Sequence, residues 1–396
     1  MSPWRGPEDG ATISFDVDAL RRTEFPWTAT GDSIYLNSAS TGPLPKRTLD
    51  AVHHALDLRA DPSRFPDALI FQTFARGREL AARLVNAAPR EIALCTNTSY
   101  GVNLAAFALP LGAGDVVIAP AGEFPANVYP WMAAAERRGF EYRQLPADEN
   151  GATPEEAILE ALRDPRVRAV ALSWVGFSMG HRYDLQAIGA ACREQGVHLV
   201  VDAIQGLGAF ALDVKACNVA ILASGAQKWL LSPWGTGFTY VREDLVEHVP
   251  PYVVGWTAEV GSDDFSRLLD YDLTWRDDAR RFESLTLPTH DFIGFNASLE
   301  LLLEVGAADA QRHVESLANL LVEWAVERRD VELATPVHPR HRAGIVSMRF
   351  PDPQAVHRRL GEAGIAHSMR EGLVRLAPHI CNTHDEIRRT LEVLAG

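Results

Sequence analysis

Length, composition and charge narrow the class of protein. The chain has 396 residues, of which 47% are hydrophobic and 23% charged, values typical of a globular protein with one large and one smaller domain. Its net charge of −14 argues against a nucleic-acid or anionic-membrane surface. The N-terminus has no apolar signal core, and no run of about 18 apolar residues occurs anywhere, so we expect a cytoplasmic protein.

The four cysteines show neither metal-ligand spacing nor the density of a disulfide scaffold. They are Cys95, Cys192, Cys217 and Cys381. Buried free thiols are the expected state, and no metal is expected.

From about residue 90 to 240, short apolar runs alternate with helical patterns, which predicts a doubly wound, mostly parallel α/β sheet. The predicted strands are EIALCT, DVVIAP, EYRQLP, VRAVALSW, VHLVVD and VAILAS. The run GTGFTYVRED, at 235–244, follows VAILAS too closely for a crossover helix, so we predict that it is antiparallel.

The pattern changes after about residue 265. Two long helical stretches, 290–305 and 308–328, precede the strand-like runs AGIVSMRF and LVRLAP. We therefore predict a large domain at 31–264 and a smaller α+β domain at 265–396, with the N-terminal segment 1–30 packing on the small domain.

Ligands of open parallel sheets bind at the carboxyl ends of the strands. Asp202 ends one apolar run there, Lys228 follows the next, and Phe124 follows DVVIAP. Thr98 and Ser99 open a helix whose free N–H groups suit a phosphate. Each feature also has an ordinary structural explanation: a helix cap by Thr98, a core aromatic, or a lysine lying along apolar surface.

One cofactor would use all of these groups together. Pyridoxal 5′-phosphate (PLP) has a phosphate, a flat ring, a ring nitrogen that a buried carboxylate keeps protonated, and an aldehyde that reacts with an amine. Asp202 and Lys228 would then be partnered by opposite ends of one ligand.

Five stretches of the chain carry a family resemblance. They are YLNSASTGPLP, VDAIQ, QKWLLSPWGTG, RRFESLTLP and VRLAPHICNT. With this combination and spacing, the chain resembles the class V aminotransferase family of fold-type I PLP enzymes. That family includes cysteine desulfurases, selenocysteine lyases, isopenicillin N epimerase-like proteins and, more distantly, kynureninases.

The resemblance implies how the cofactor is held. Lys228 would form the internal aldimine, Asp202 would pair with the pyridinium nitrogen, and Gln205 would donate to the ring 3′-oxygen. The remaining implied cofactor contacts are the phosphate ligands Thr98, Ser99 and Gln227, and Phe124 stacked on the ring.

The resemblance also implies a homodimer and a substrate site. Thr286 would reach the phosphate of the neighbouring subunit, so the active sites would be shared. Arg375 would bind the α-carboxylate of an amino acid as a two-pronged fork, with Asn37 and Phe177 beside it.

Two departures narrow the chemistry. The region HRRLGEAGIAHSMREG, before Arg375, lacks the sulfur-accepting cysteine of many desulfurases, and Cys381 falls after the arginine. Phe177 stands where desulfurases usually have an asparagine. A persulfide-forming desulfurase is therefore disfavoured, and we expect a drier pocket.

We expect a PLP enzyme that acts on an α-amino acid through an external aldimine and a Cα carbanion, most simply as an aminotransferase. A C–S or β-elimination lyase and an amino-acid epimerase use overlapping residues and stay open, as does a non-catalytic PLP-binding module. Four polar residues near the predicted rim could contact a substrate side chain or be solvated surface: His181, Arg182, Arg370 and His379.

Overall fold

The computed structural model describes residues 13–148, 151–284 and 286–396. In these ranges the helices α1–α12 are Val17–Glu24, Lys46–Ala60, Asp67–Val85, Thr98–Ala108, Tyr129–Arg138, Glu155–Ala161, Leu185–Glu194, Glu243–His248, Thr289–Val305, Ala307–Val326, Pro353–Glu362 and His384–Ala395. The strands β1–β13 are Ile34–Tyr35, Ile92–Cys95, Val116–Pro120, Glu141–Leu145, Val167–Ser173, His198–Asp202, Val219–Gly225, Gly237–Val241, Glu332–Leu333, Val346–Arg349, Ile365–Ala366, Ser368–Arg370 and Leu373–Leu376.

The central feature is a seven-stranded sheet in the order β2-β8-β7-β6-β5-β3-β4. Strands β3 to β7 run parallel to one another, whereas β8 is antiparallel to both β7 and β2. The predicted α/β class and the antiparallel strand within 235–244 are therefore confirmed. The parallel strands place their carboxyl ends along one edge of the sheet.

The sheet is buried on both faces, as its continuous apolar strands predict. Ile118 and Leu172 belong to one core cluster, and Val117 and Ala171, their immediate neighbours, belong to a second cluster on the other face. Helices cover both faces. None of the helices in the described ranges is both long and apolar enough to cross a membrane.

A smaller antiparallel sheet, in the order β12-β13-β10-β9, follows later in the chain. Its apolar side packs with α10 and α12 in a third core cluster that contains Leu321, Met348, Val374 and Ile387. Its strand β13 carries Arg375, paired in register with Ser347 and Ser368.

The N-terminal part lies against this later region. Strand β1 pairs in parallel with β11, and Arg21 of α1 donates to Glu386 at 2.8 Å and also bonds the carbonyl of Cys381. Residues 1–12 of the predicted N-terminal segment lie outside the described residues. The domain limits at 30 and 264 stay predictions.

Candidate active site

A carboxylate and an amine lie at the carboxyl ends of neighbouring strands. Asp202 ends β6, which pairs in parallel with β7, and Lys228 follows β7 by three residues. Burial raises the pKa of Asp202 to about 6, although the N–H of Ile204 and the charge of Lys228 oppose this shift. Burial likewise lowers the pKa of Lys228 to about 8 against the attraction of Asp202. The structure therefore brings these two groups together at one edge of the sheet.

One oxygen of Asp202 is available to a ligand. Oδ1 accepts a hydrogen bond of 3.0 Å from the N–H of Ile204, and no described residue donates to Oδ2. The side chain is only 3% exposed. A buried carboxylate with a free oxygen fits a cationic partner such as a protonated ring nitrogen.

The turn that carries Lys228 packs tightly on the loop after β1. The N–H of Gly42 donates to the carbonyl of Gln227 at 2.8 Å, and a Cβ on Gly42 would lie 1.9 Å from the carbonyl oxygen of Lys228. Only glycine permits this approach. The loop 37–42 is thereby fixed beside the lysine.

The N-terminus of α4 faces the end of β7. Asn97, not Thr98, is the N-cap, because its side chain accepts from the N–H of Tyr100. Thr98 accepts from the N–H of Gly225 at 2.8 Å, which leaves its hydroxyl proton free, and no described group accepts from the N–H groups of Thr98 and Ser99. These donors at the positive end of a helix fit a phosphate.

Two aromatic rings stand near the amine. The Phe124 ring centroid is 5.8 Å from Lys228 Nζ and 5.2 Å from the Phe177 ring, which it meets edge to face. Phe124 is 45% exposed, so it is not a core aromatic in the described chain. Its exposed ring is suited to contact a flat ligand.

Glu123 is a residue of this region that the sequence analysis missed. Its carboxylate accepts from the N–H of Ser173 at 2.7 Å, from the Ser173 hydroxyl, and from Asn127 at 3.0 Å. Burial raises its pKa to about 7 against these hydrogen bonds, and the charge of Asp202 adds to the increase. Glu123 ties the loop that carries Phe124 to the end of β5. An acid three residues after the end of the buried strand β3, in EFPAN, was the available signal.

Gln205 is already engaged at both ends of its amide. Its Nε2 donates to the carbonyl of Ala39 at 3.1 Å, and its Oε1 accepts from Trp229 Nε1 at 2.9 Å. One N–H remains for the ring oxygen that the family resemblance implies.

Arg375 is a buried cation with no acid partner in the part of the chain that the structure describes. It is 2% exposed and donates to three neutral acceptors: Ser368 Oγ at 3.0 Å, the carbonyl of Phe177 at 2.6 Å, and Ser40 Oγ at 2.9 Å. No carboxylate in the described ranges forms an ion pair with it. Burial, and then the charge of Arg370, lower its pKa to about 10. Such a cation is stabilised when an anion binds.

The remaining predicted residues are placed differently. The Oδ1 of Asn37 is buried without a hydrogen-bond partner among the described atoms, in the loop beside Lys228. Gln227 contacts this loop through its backbone. Thr286, in contrast, is exposed and lines a separate pocket with Phe71 and Trp256. Its predicted contact with a neighbouring subunit stays a prediction.

Three of the four rim candidates have structural roles. His379 is fully buried, and its Nε2 is 2.9 Å from the carbonyl of Trp229. Arg182 lies over Phe210 and reaches Glu315 at 3.5 Å. His181 packs edge to face on Tyr183, and burial lowers its pKa to about 4. None of these three is solvated surface, which was one of the two possibilities, whereas Arg370 is exposed.

Solved structures place this arrangement in a known fold. A variant of C-DES with glycine covalently linked to its PLP cofactor matches with a TM-score of 0.84 and 24% identity, over 95% of this chain and 98% of that chain. A complex of the cystine C–S lyase C-DES with its product cysteine persulfide matches with a TM-score of 0.82 and 24% identity, over 93% and 98%. The chain has the fold of the fold-type I PLP-dependent enzymes.

Sequence comparison gives the family. The aminotransferase class-V model matches residues 34–385, so the chain belongs to that family. A probable cysteine desulfurase of Methanothermobacter thermautotrophicus is 29% identical, covering 92% of this chain and 95% of the relative. The uncharacterized aminotransferase YcbU of Bacillus subtilis is 27% identical, covering 84% and 86%. The predicted resemblance is confirmed.

Proposed function

We propose that the protein is a PLP-dependent lyase that cleaves the Cβ–S bond of an α-amino acid. The family and fold make it a PLP enzyme of the transferase or lyase type. Similar proteins described as a cysteine desulfurase and a cystine C–S lyase support the lyase. Aminotransferase activity, which the sequence ranks first, is supported by the YcbU relative and remains the second candidate.

The described residues fit the cofactor. The free Oδ2 of Asp202, the open donors of Thr98 and Ser99, and the exposed Phe124 ring near Lys228 each match one part of PLP. When bound, PLP supplies an aldehyde that reacts with amines and a ring that delocalises charge from the substrate Cα.

The chain's own residues then bind the substrate and move a proton. Arg375 would hold the α-carboxylate, with Asn37 and Phe177 beside it, and the amine of Lys228 would take the proton from Cα. A pKa of about 8 leaves part of that amine neutral near pH 7.

Asp202 would hold the ring nitrogen protonated, and Gln205 would donate to the ring oxygen. The phosphate ligands would be Thr98, Ser99, Gln227 and the partner subunit's Thr286 in a homodimer.

The burial of the four cysteines favours elimination, in which the sulfur group is released, over transfer of the sulfur to an enzyme cysteine as a persulfide. Cys95, Cys192 and Cys381 are buried, and Cys217, partly buried, lies before β7, at the end of the sheet opposite Lys228. Burial raises the pKa of all four to about 12. A persulfide-forming site needs an accessible thiolate. Sulfur would instead leave as a free thiol or persulfide.

The overall reaction balances without an added oxidant. Proton removal from Cα and loss of the sulfur group from Cβ, followed by hydrolysis, convert an S-substituted cysteine and water into a thiol, pyruvate and ammonia.

The test is to incubate the purified, PLP-loaded enzyme with cysteine, cystine and S-substituted cysteines. We expect sulfide from cysteine, cysteine persulfide from cystine and a thiol from S-substituted cysteines, each with ammonia and pyruvate in equal amounts and with no added acceptor. Keto acid without ammonia, formed only when a second keto acid is present, would establish the aminotransferase instead. Conversion of L- to D-substrate would establish an epimerase.

Mass spectrometry of the protein after turnover with cysteine tests the route of the sulfur. We expect no added sulfur atom, in wild type or in Cys381→Ser. If the wild type gained one sulfur and the serine variant did not, Cys381 would be an acceptor and the enzyme a desulfurase.

A further inference from the structure

Two guanidinium groups converge on one hydroxyl group at the mouth of the site. Arg375 Nη2 lies 2.9 Å and Arg370 Nη2 lies 3.4 Å from Ser40 Oγ. Arg375 is buried, whereas Arg370 is exposed, so Arg370 lies on the solvent side of the shared hydroxyl. Like charges this close repel, and the charge of Arg370 contributes to the lowered pKa of both Arg375 and Lys228.

Among the described residues, no acid pairs with either arginine to offset this repulsion. In the described ranges neither arginine forms an ion pair, although Arg349, an exposed arginine on the neighbouring strand β10, lies 3.5 Å from Glu332. Glu371 follows Arg370 directly but makes no ion pair within those ranges. Two cations held together without an acid form a site that a doubly charged anion would complete.

The backbone fixes Arg370 in this place. Strands β12 and β13 form a tight hairpin in which Arg370 pairs with Leu373. Glu371 and Gly372, at its turn, both have positive φ, 50° and 76°. The hairpin therefore holds Arg370 and Arg375 on the same side of the loop 37–42 without help from a ligand.

We propose that Arg370 binds a second anionic group, carried by the substrate side chain, while Arg375 binds the α-carboxylate. The substrate class would be an S-substituted cysteine whose sulfur substituent ends in a carboxylate. This inference rests on the proposed function only for the amino-acid substrate. The Phe124 ring lies 5.8 Å from Lys228 Nζ and meets the ring of Phe177, whose backbone carbonyl accepts from Arg375. These two rings would cover the apolar part of the substrate between its two charges.

Binding of simple carboxylic acids to the PLP-loaded enzyme tests the proposal without turnover. Calorimetric titration would compare dicarboxylates of four to seven carbons with monocarboxylates of equal length. We expect the best dicarboxylate to bind about fivefold to tenfold tighter than its monocarboxylate. Arg370→Gln should remove this advantage, Arg370→Lys should keep part of it, and Arg349→Gln should leave it unchanged.

The kinetic counterpart uses substrates with and without a distal carboxylate. Arg370→Gln should raise KM for the first group about fivefold more than it raises KM for S-alkyl cysteines. Equal weakening of mono- and dicarboxylates by Arg370→Gln would overturn the proposal, because Arg370 would then assist the α-carboxylate. No preference for dicarboxylates in the wild type would also overturn it. If the dicarboxylate preference appeared but no C–S bond were cleaved, the proposed lyase reaction would fail and the inference would stand.

Discussion

The edge of the large sheet holds a pair of opposite charges, whereas the hairpin of the small sheet holds a pair of like charges. At the large sheet, Asp202 and Lys228 have opposite charges, and each reduces the effect that burial has on the pKa of the other. At the hairpin, Arg375 and Arg370 have the same charge and meet at Ser40 without an acid. The charges of Asp202 and Lys228 partly offset each other in the ligand-free chain, whereas the two arginine charges are offset only when an anion binds.

This difference separates two tasks. Two groups whose opposite charges stabilise each other can stay in place while a proton moves between ligand and protein. Such an arrangement suits catalysis. An uncompensated cluster of cations gains most of its stabilisation when a substrate anion arrives, which suits binding. Substitutions at the large sheet should therefore mainly lower kcat, and those at the hairpin should mainly raise KM.

Lys228→Ala should have the largest effect. The amine is proposed to hold the cofactor covalently and to move the Cα proton, so we expect kcat to fall about 10⁴-fold or more. Borohydride reduction followed by mass spectrometry should find the cofactor mass on the peptide with Lys228 in the wild type and no such adduct in the variant. Lys215→Ala, a change at an exposed lysine that lies 3.7 Å from Glu91, is the control and should retain both activity and adduct. An adduct that persisted in Lys228→Ala would remove this lysine from the mechanism.

Arg375→Gln should have the next largest effect, and mainly on KM. Removing one partner of a buried charged contact costs about 2–5 kcal/mol, so kcat/KM should fall about 30-fold or more. The visible absorption of the bound cofactor should be unchanged, because the proposed cofactor contacts are intact. If kcat/KM stayed within about threefold of wild type, the α-carboxylate would bind elsewhere.

The grouping of residues at the edge of the large sheet could be predicted from the sequence. Buried parallel strands appear as short apolar runs, and their carboxyl ends must share one edge, so Asp202, Lys228 and Phe124 could be placed together from local patterns. The site residue that this reasoning missed, Glu123, comes directly before Phe124. Its role depends on hydrogen bonds to Ser173, fifty positions later, which no local pattern reveals.

The contacts at the hairpin were harder to predict, because they too join residues that are far apart in the sequence. Ser40 and Arg375 are 335 positions apart, and the loop 37–42 is brought to the hairpin by the pairing of β1 with β11 and the parallel bridge between Asn37 and Ala377. His379 shows the opposite error: a polar residue in a predicted rim motif is buried against Trp229. Sequence motifs indicated which residues matter near Arg375, but not which of them face the site.

Asp202→Asn should give the smallest effect and the most specific one, since stability and activity should change in opposite directions. In the ligand-free protein burial raises the pKa of Asp202 from 3.8 to about 6. Between these values the folded state binds more protons than the unfolded state, so stability falls as pH rises from about 4 to 6 and stays lower above that. Asparagine avoids this loss, and the ligand-free variant should be more stable at pH 7 by roughly 1–3 kcal/mol.

Urea unfolding of ligand-free protein between pH 4 and 8 would measure this gain, which should shrink towards zero as pH falls to about 4. Asp184→Asn is the matched control of opposite sign. Burial raises the pKa of Asp184, but the N–H of Ala187 and the side chain of Arg340 outweigh burial and lower this pKa overall, so this variant should lose stability at neutral pH.

With PLP bound, Asp202→Asn should lower kcat about tenfold or more, because the ring nitrogen loses its anionic partner. A ligand-free Asp202→Asn variant no more stable than wild type at pH 7 would mean that Asp202 is already compensated without the cofactor, and the contrast with the arginine pair would be lost.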